Sequence, residues 1–190
     1  MSSATPPPKK PTGKPPTVTP EAGWQPISLP FNIGSGRTVY SDMAGDNRLR
    51  LAFFGKKDRL VGRAWFGDGT DGPPNNAHGG AIAYVLDEVM GAVGWLNQYP
   101  VVAVNLNFSY AKMTPLYVDM SVEGWITKTT EKRVFTASEM RLPTGEVVVT
   151  GQGEFAILKK ELVESLYSER FGPEDLEKLK NFRWAKGHAR

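Results

Sequence analysis

The sequence predicts an α+β fold in which one long helix packs against an antiparallel sheet. Residues 78–97 form an apolar run that shows no alternation and is too long for a strand, so we interpret it as a helix. On both sides of this run, shorter segments alternate polar and apolar residues, as strands with one buried face do. Short connections between the last four segments favour antiparallel pairing.

Two strand-like segments precede the helix and four follow it. The first two, residues 48–53 and 59–66, are expected to form a hairpin with its turn at residues 55–58. The GDGTDGPPNNA stretch that follows is rich in turn residues and leads into the helix. We expect the later segments to pair as a meander, and they are residues 101–111, 116–127, 133–142 and 146–158.

The long helix is apolar on nearly all of its faces, but a single sheet covers only one side of it. The rest of its surface, and the edges of the sheet, need another partner. A second copy of the chain is the simplest candidate, so we expect a homodimer or a homotetramer.

Composition divides the chain into three parts. Residues 1–22 form a tail with seven prolines and three lysines among its first twenty residues, and we expect it to be disordered. Residues 23–158 form the folded domain. Residues 159–190 form a C-terminal extension with two short helical pieces, broken near Gly172 and Pro173.

Composition also excludes several classes of function. The chain has no cysteine and only two histidines, so disulfides, cysteine nucleophiles and metal sites are not expected. Residues 21–158 carry 12 basic and 14 acidic side chains, which argues against a nucleic-acid partner. The apolar run holds two acids in its centre, so we predict no membrane span. The tail lacks the apolar core of a secretory signal, and we predict a cytoplasmic protein.

The start of the predicted helix could carry chemistry. His78, Gly79 and Gly80 stand there, where the first N–H groups have no partner within the helix and lie at the positive end of its dipole. Such a place can hold a carbonyl oxygen as it gains negative charge. A Gly-Gly pair can also serve only to loosen the join between loop and helix.

Asp87 and Glu88 are the only charges between residues 79 and 96. A carboxylate in an apolar helix is costly unless it is functional or points to solvent through a gap in the packing. Adjacent helical residues are ~100° apart, so at most one of the two faces a given site. Asp87 lies ~12 Å along the axis from Gly79, too far for both to reach one substrate within one chain. A shared site would therefore combine two subunits.

Three segments resemble the PaaI-type and THEM-type acyl-CoA thioesterases of the hotdog fold, in which an antiparallel sheet wraps around one long central helix. They are GPPNNAHGGAIAYVLDEVMGAVGW, VVAVNLNFSYAKMTPLYVDMSVEG and GEVVVTGQGEFAIL, and the similarity runs from about residue 45 to residue 158. The resemblance implies hydrolysis of acyl-CoA to free CoA and a fatty or aryl acid, without metal or organic cofactor. It also implies that Gly79 N–H binds the thioester oxygen, while Asp87 of another subunit acts as general base or nucleophile.

Further site residues follow from the same resemblance. His78 either caps the helix or contacts the substrate. Many relatives carry a threonine or serine at the position of Ala103, so Asn105 or another group would have to orient the attacking water. The implied substrate contacts are Asn76 (or its neighbour Asn75), Gly80, Asn105, Lys112, Lys132 and Arg133. Of these, the three basic residues would lie near the CoA phosphates.

Two alternatives remain open. An enoyl-thioester hydratase would keep the fold, but such enzymes pair an acid with a histidine, and the folded domain has only His78. A hotdog protein that binds acyl-CoA without turnover is the second alternative, and Ala103 is the residue that favours it.

Overall fold

The computed structural model describes residues 13–29, 48–167, 177 and 179–185. Within them, one antiparallel sheet wraps around one long helix, which confirms the predicted α+β class. The strands are β1 (Gln25–Pro26), β2 (Leu49–Lys56), β3 (Arg59–Phe66), β4 (Val101–Tyr110), β5 (Met120–Thr129), β6 (Arg133–Arg141) and β7 (Val147–Ile157). The helices are α1 (Gly79–Leu96) and α2 (Lys160–Tyr167).

The strands of the sheet follow the order β1-β2-β3-β5-β6-β7-β4. The predicted hairpin is confirmed, because β2 pairs with β3 along its whole length. The pairing of β5, β6 and β7 in chain order is confirmed as well. The predicted pairing of the first meander segment with the second is wrong: β4 pairs with β7, and β5 pairs with β3.

The link between β4 and β5 explains this difference. Since β5 begins at Met120 and not at residue 116, residues 111–119 separate the strands, which is enough chain for a crossover rather than a tight turn. Tyr117 N–H donates to the carbonyl of Phe66 at the end of β3 at 2.8 Å. The link therefore leads the chain across to β3 and leaves β4 at the opposite edge of the sheet.

The long helix α1 lies against one face of the sheet. Its sheet-facing side chains, including Val85, Val89 and Met90, are fully buried. Small residues let the backbones approach: a Cβ atom at Gly124 of β5 would lie 2.6 Å from Cγ1 of Val89. No helix in the described part of the chain is both long enough and apolar enough to cross a membrane.

The C-terminal extension packs against the end of α1. Val163 of α2 is buried in a cluster with Trp95, and the Phe182 ring lies 5.7 Å from the Trp95 ring. Arg183 donates a hydrogen bond to the Tyr99 hydroxyl at 2.7 Å. The predicted break near Gly172 and Pro173 lies outside the described residues.

The described part of the predicted tail, residues 13–22, contains neither helix nor strand. Two of its groups contact the domain: Glu21 forms an ion pair with Arg63, and the Pro16 carbonyl accepts from Arg50. Trp24, just after this segment, is buried and its ring lies 5.2 Å from that of Phe54. Trp24 therefore packs as part of the folded domain.

Candidate active site

Two loops hold the start of α1 in place. His78 N–H donates to the Thr70 carbonyl at 2.7 Å, and Ala77 N–H donates to the Thr114 carbonyl at 2.8 Å. Asn76 forms an isolated β-bridge with Pro115 in the same region. The first turn of the helix is thus anchored to the crossover link as well as to the loop that precedes it.

His78 is the N-cap of α1. Its backbone is extended, with φ −65° and ψ 137°, and its Nδ1 atom accepts from Gly80 N–H at 2.9 Å. Because Nδ1 is an acceptor, the proton of the neutral ring lies on Nε2. Capping is one of the two roles that the sequence left open for His78. Because the Gly80 N–H donates to the His78 ring, this N–H is not available to a ligand.

Gly79 is the first residue of the helix, and it is half-buried. No described residue accepts from its N–H, whereas its carbonyl accepts from the Tyr110 hydroxyl at 2.9 Å. A Cβ atom at Gly79 would lie 3.8 Å from the Tyr110 ring, an ordinary van der Waals contact, so the ring packs directly beside this residue. We call the Gly79 N–H, at the positive end of the α1 dipole, the oxyanion position.

Asp87 lies on the helix face that runs along β4. The contact between Gly94 and Val101 marks this face, because a Cβ atom at Gly94 would lie 2.7 Å from Cγ2 of Val101. Asp87 precedes Gly94 by seven residues, about two turns, so the two lie nearly above one another on α1. Glu88 lies about 120° away from Gly94 around the axis. Of the two acids, Asp87 is therefore the one next to the edge strand.

Both acids are half-buried and electrostatically uncompensated. Neither forms an ion pair or a hydrogen bond with another described residue. Burial raises the pKa of the Asp87 carboxyl. Burial, and then the charge of Asp87, raise the pKa of Glu88 to about 7. Carboxyls with raised pKa values are suited to proton transfer near neutral pH.

The sequence matches no protein-family model and no curated protein. Solved structures do match it. One is a thioesterase superfamily protein at 25% identity, with a TM-score of 0.54 over 55% of this chain and 55% of that chain, so the match spans about half of that protein. Another is zebrafish thioesterase superfamily member 2 at 15% identity, with a TM-score of 0.55 over 68% of this chain and 99% of that chain.

A third neighbour is a hypothetical thioesterase protein from Streptococcus pneumoniae TIGR4, solved with coenzyme A. It is 16% identical, with a TM-score of 0.54 over 57% of this chain and 85% of that chain. The same protein has been solved as two alanine mutants, one of an aspartate and one of a threonine that lies sixteen positions later.

The chain has the hotdog fold of the thioesterase superfamily. Its long α1 is the central helix of that fold, and β4 is an edge strand. Val102 and Val104 on this edge are 50% and 53% exposed. An edge strand presents unpaired backbone groups that a second strand can join.

A β-bulge in β4 makes the side chains of Ala103 and Asn105 point to opposite faces of the sheet. The register shifts between these residues, so that Ala103 lies opposite Phe155 and Asn105 lies opposite Glu154. Phe155 is buried on the α1 side of the sheet, which places Ala103 on that side. Asn105 faces the other way. It lines a groove of about 410 Å³ with Asn107 and Glu154 on the outer face of this hotdog sheet.

The hotdog sheet does not bring the predicted basic contacts together within one chain. Lys112 follows β4 near the start of α1 and forms an ion pair with Glu146. Arg133 pairs with Glu154 at 2.9 Å, and the neighbouring Lys132 carbonyl accepts from Ile157 N–H. Ile157 lies opposite Val101 at the far end of β4, a strand that is ten residues or roughly 30 Å long.

Tyr110 is a site residue that sequence reasoning did not single out. It belongs to the NFSY stretch of the family resemblance, but its own side chain received no role there. The sequence feature that could have identified Tyr110 is its position as the last residue of the strand, on the same face as Phe108. This face lies beside Gly79 only because β4 pairs with β7, and that non-local pairing was not predicted from the sequence.

Proposed function

We propose that this protein hydrolyses acyl-CoA thioesters to free CoA and a carboxylic acid. The proposal is carried by one observation: the half-buried Asp87 lies on the α1 face along β4, two turns from the open N–H of Gly79. An acid without an ionic partner and a backbone donor at a helix start are the two groups that thioester hydrolysis needs. The coenzyme A bound to the Streptococcus pneumoniae neighbour supports the substrate class.

In the proposed reaction, Gly79 N–H and the helix dipole stabilise the oxygen of the thioester as it gains negative charge. One good donor of this kind contributes roughly 3–4 kcal/mol to transition-state stabilisation. Asp87 either takes a proton from the attacking water or attacks the carbonyl carbon itself to form a mixed anhydride. No metal or organic cofactor is required, since coenzyme A is part of the substrate.

We place the two groups of each site on different subunits. β4 runs antiparallel to α1, because Val101 packs on Gly94 near the helix end and Tyr110 contacts Gly79 at its start. Antiparallel pairing of two β4 edges around a two-fold axis would therefore bring the start of one α1 towards Asp87 of the other. The same pairing would bring Lys112 of one chain towards Lys132 and Arg133 of its partner, as a shared binding site for the CoA phosphates requires.

The spacing of the neighbour's two mutated positions supports the choice of Asp87 as the acid and draws attention to Ala103. Its aspartate and threonine are sixteen positions apart, and Ala103 follows Asp87 by the same number. Ala103 lies on the α1 side of β4, where a hydroxyl would face the helix. The alanine is the observation that favours a second candidate function, acyl-CoA binding without turnover.

Purified protein incubated with acyl-CoAs of increasing chain length tests the proposal, with free thiol as the readout. We expect thiol release that depends on Asp87. If acyl-CoA binds, as measured by calorimetry, but no thiol appears above the rate of the Asp87→Asn variant, the binding function replaces the enzymatic one.

A further inference from the structure

We infer that Tyr110 is a positioning residue that, together with His78, fixes the peptide between Gly79 and Gly80 and so directs the oxyanion position. This inference rests on the proposed thioesterase function. Tyr110 itself does not touch the reacting atoms in this mechanism, and it acts through Gly79.

The two side chains bind opposite ends of one peptide group. The Tyr110 hydroxyl donates to the Gly79 carbonyl at 2.9 Å, while His78 Nδ1 accepts from Gly80 N–H, also at 2.9 Å. Since the peptide group is planar, fixing its oxygen and its N–H fixes the orientation of the whole plane.

Gly79 needs such a restraint because glycine populates more backbone conformations than any other residue. The Gly79 N–H belongs to the preceding peptide group, and the φ and ψ angles of Gly79 set the orientation of that group relative to the Gly79–Gly80 peptide. The bond from the His78 ring to Gly80 N–H closes a ring around Gly79, and the Tyr110 bond holds that ring to the sheet. The result is a preorganised donor, the form in which oxyanion stabilisation is effective.

Tyr110 also connects this donor to the edge of the sheet. It ends β4, the residue is 48% exposed, and desolvation of its hydroxyl raises the pKa of that group, so it remains a donor at neutral pH. The strand that would pair with a second subunit is thus bonded directly to the first turn of α1. A second subunit that pairs with β4 would therefore also affect the orientation of the oxyanion position.

Tyr110→Phe removes the hydroxyl and keeps the ring, and Tyr99→Phe is the matched control. The Tyr99 hydroxyl accepts from Arg183 beyond the other end of α1, far from Gly79. A lost hydrogen bond corresponds to about a 3- to 10-fold effect. We expect Tyr110→Phe to lower kcat by that factor with KM within about twofold of wild type, and Tyr99→Phe to change neither. Equal kcat values for Tyr110→Phe and wild type would overturn the inference.

A second measurement does not depend on activity. Amide hydrogen exchange at Gly80, followed by NMR, should be about 3- to 10-fold faster in Tyr110→Phe and unchanged in Tyr99→Phe. In a double-mutant cycle with His78→Ala, the effects should be non-additive, because both side chains hold one peptide. Additive effects, or unchanged exchange at Gly80 in Tyr110→Phe, would contradict the inference that the two side chains together hold this peptide. A wild-type protein without thiol release would instead reject the proposed function, whatever the exchange rates.

Discussion

Asp87 and Glu88 are neighbours on α1, but only Asp87 lies on the helix face that runs along β4. Seven residues separate Asp87 from Gly94, whose Cα is packed on Val101, and this spacing brings the two onto one face. Glu88 lies about 120° around the helix from Gly94. Two adjacent acids in similar apolar surroundings therefore have different access to a site at the sheet edge.

The first prediction follows from this difference in direction. Asp87→Asn should lower the thioesterase rate at least ~100-fold, the scale of a positioned acid–base group. Glu88→Gln, the matched control on the same helix turn, should lower it much less. Steady-state thiol release measures both rates, and sedimentation shows whether the assembly persists. A larger loss in Glu88→Gln than in Asp87→Asn would mean that the site lies on the other side of α1.

The second prediction concerns stability and pH. The pKa of Glu88 is about 7 in the folded protein, above its ordinary value of 4.5. Between these pH values the folded protein holds a proton that the unfolded chain has lost, so this group lowers the free energy of unfolding as pH rises from about 4.5 to about 7. Glu88→Gln removes the titration. Its Tm should therefore exceed that of wild type by more at pH 8 than at pH 5, as measured by thermal unfolding of both proteins in matched buffers.

If Glu88→Gln and wild type differ by the same amount at pH 5 and pH 8, Glu88 does not titrate between these values in the folded protein.

The third prediction is recovery of activity in mixed assemblies. A subunit with Asp87→Asn keeps its oxyanion position, and a subunit with Gly79→Val keeps its acid. In a two-fold heterodimer, one of the two composite sites would combine both intact parts. Co-expression should recover up to about half of the wild-type rate per heterodimer, measured after tandem affinity purification. Failure to recover activity in verified heterodimers would place both groups in one chain, and an active monomer in sedimentation would do the same.

The fourth prediction concerns Ala103, which lies on the α1 side of β4 and lacks a hydroxyl. Ala103→Ser should raise kcat, because a hydroxyl there can orient the water that Asp87 activates. Asn105→Ala on the outer face of the bulge should leave kcat within about twofold of wild type. A loss of activity in Asn105→Ala would show that this side chain reaches the reaction centre despite its direction in the sheet.

The fifth prediction concerns the boundary of the folded domain. A protein that begins at Glu21 loses the Pro16 carbonyl contact but keeps the ion pair of Glu21 with Arg63 and the buried Trp24. Its Tm and thioesterase rate should match those of the full chain. Trp24→Ala, by contrast, should lower the free energy of unfolding by about 3 kcal/mol. A large loss in the truncated protein would show that residues 1–20 stabilise the domain.

Local sequence patterns are sufficient to predict most of the secondary-structure elements of this protein. The long apolar run predicts α1, and capping is one of the two roles that the sequence offers for His78, because capping and helical periodicity depend on residues a few positions apart. Strand alternation likewise predicted the β2–β3 hairpin and the succession of β5, β6 and β7. The separation of Gly79 and Asp87 also follows from the rise per residue of a helix, without any tertiary contact.

Non-local contacts, in contrast, select the strand that pairs with β4 and set the directions of the β4 side chains. Pairing with β7 joins residues such as Val101 and Ile157, and no local pattern distinguishes this partner from β5. The bulge then turns Asn105 away from α1, because one extra residue shifts the period-two alternation. The bond between Tyr110 and Gly79, 31 residues apart, exists only because the crossover link leaves β4 beside the start of the helix.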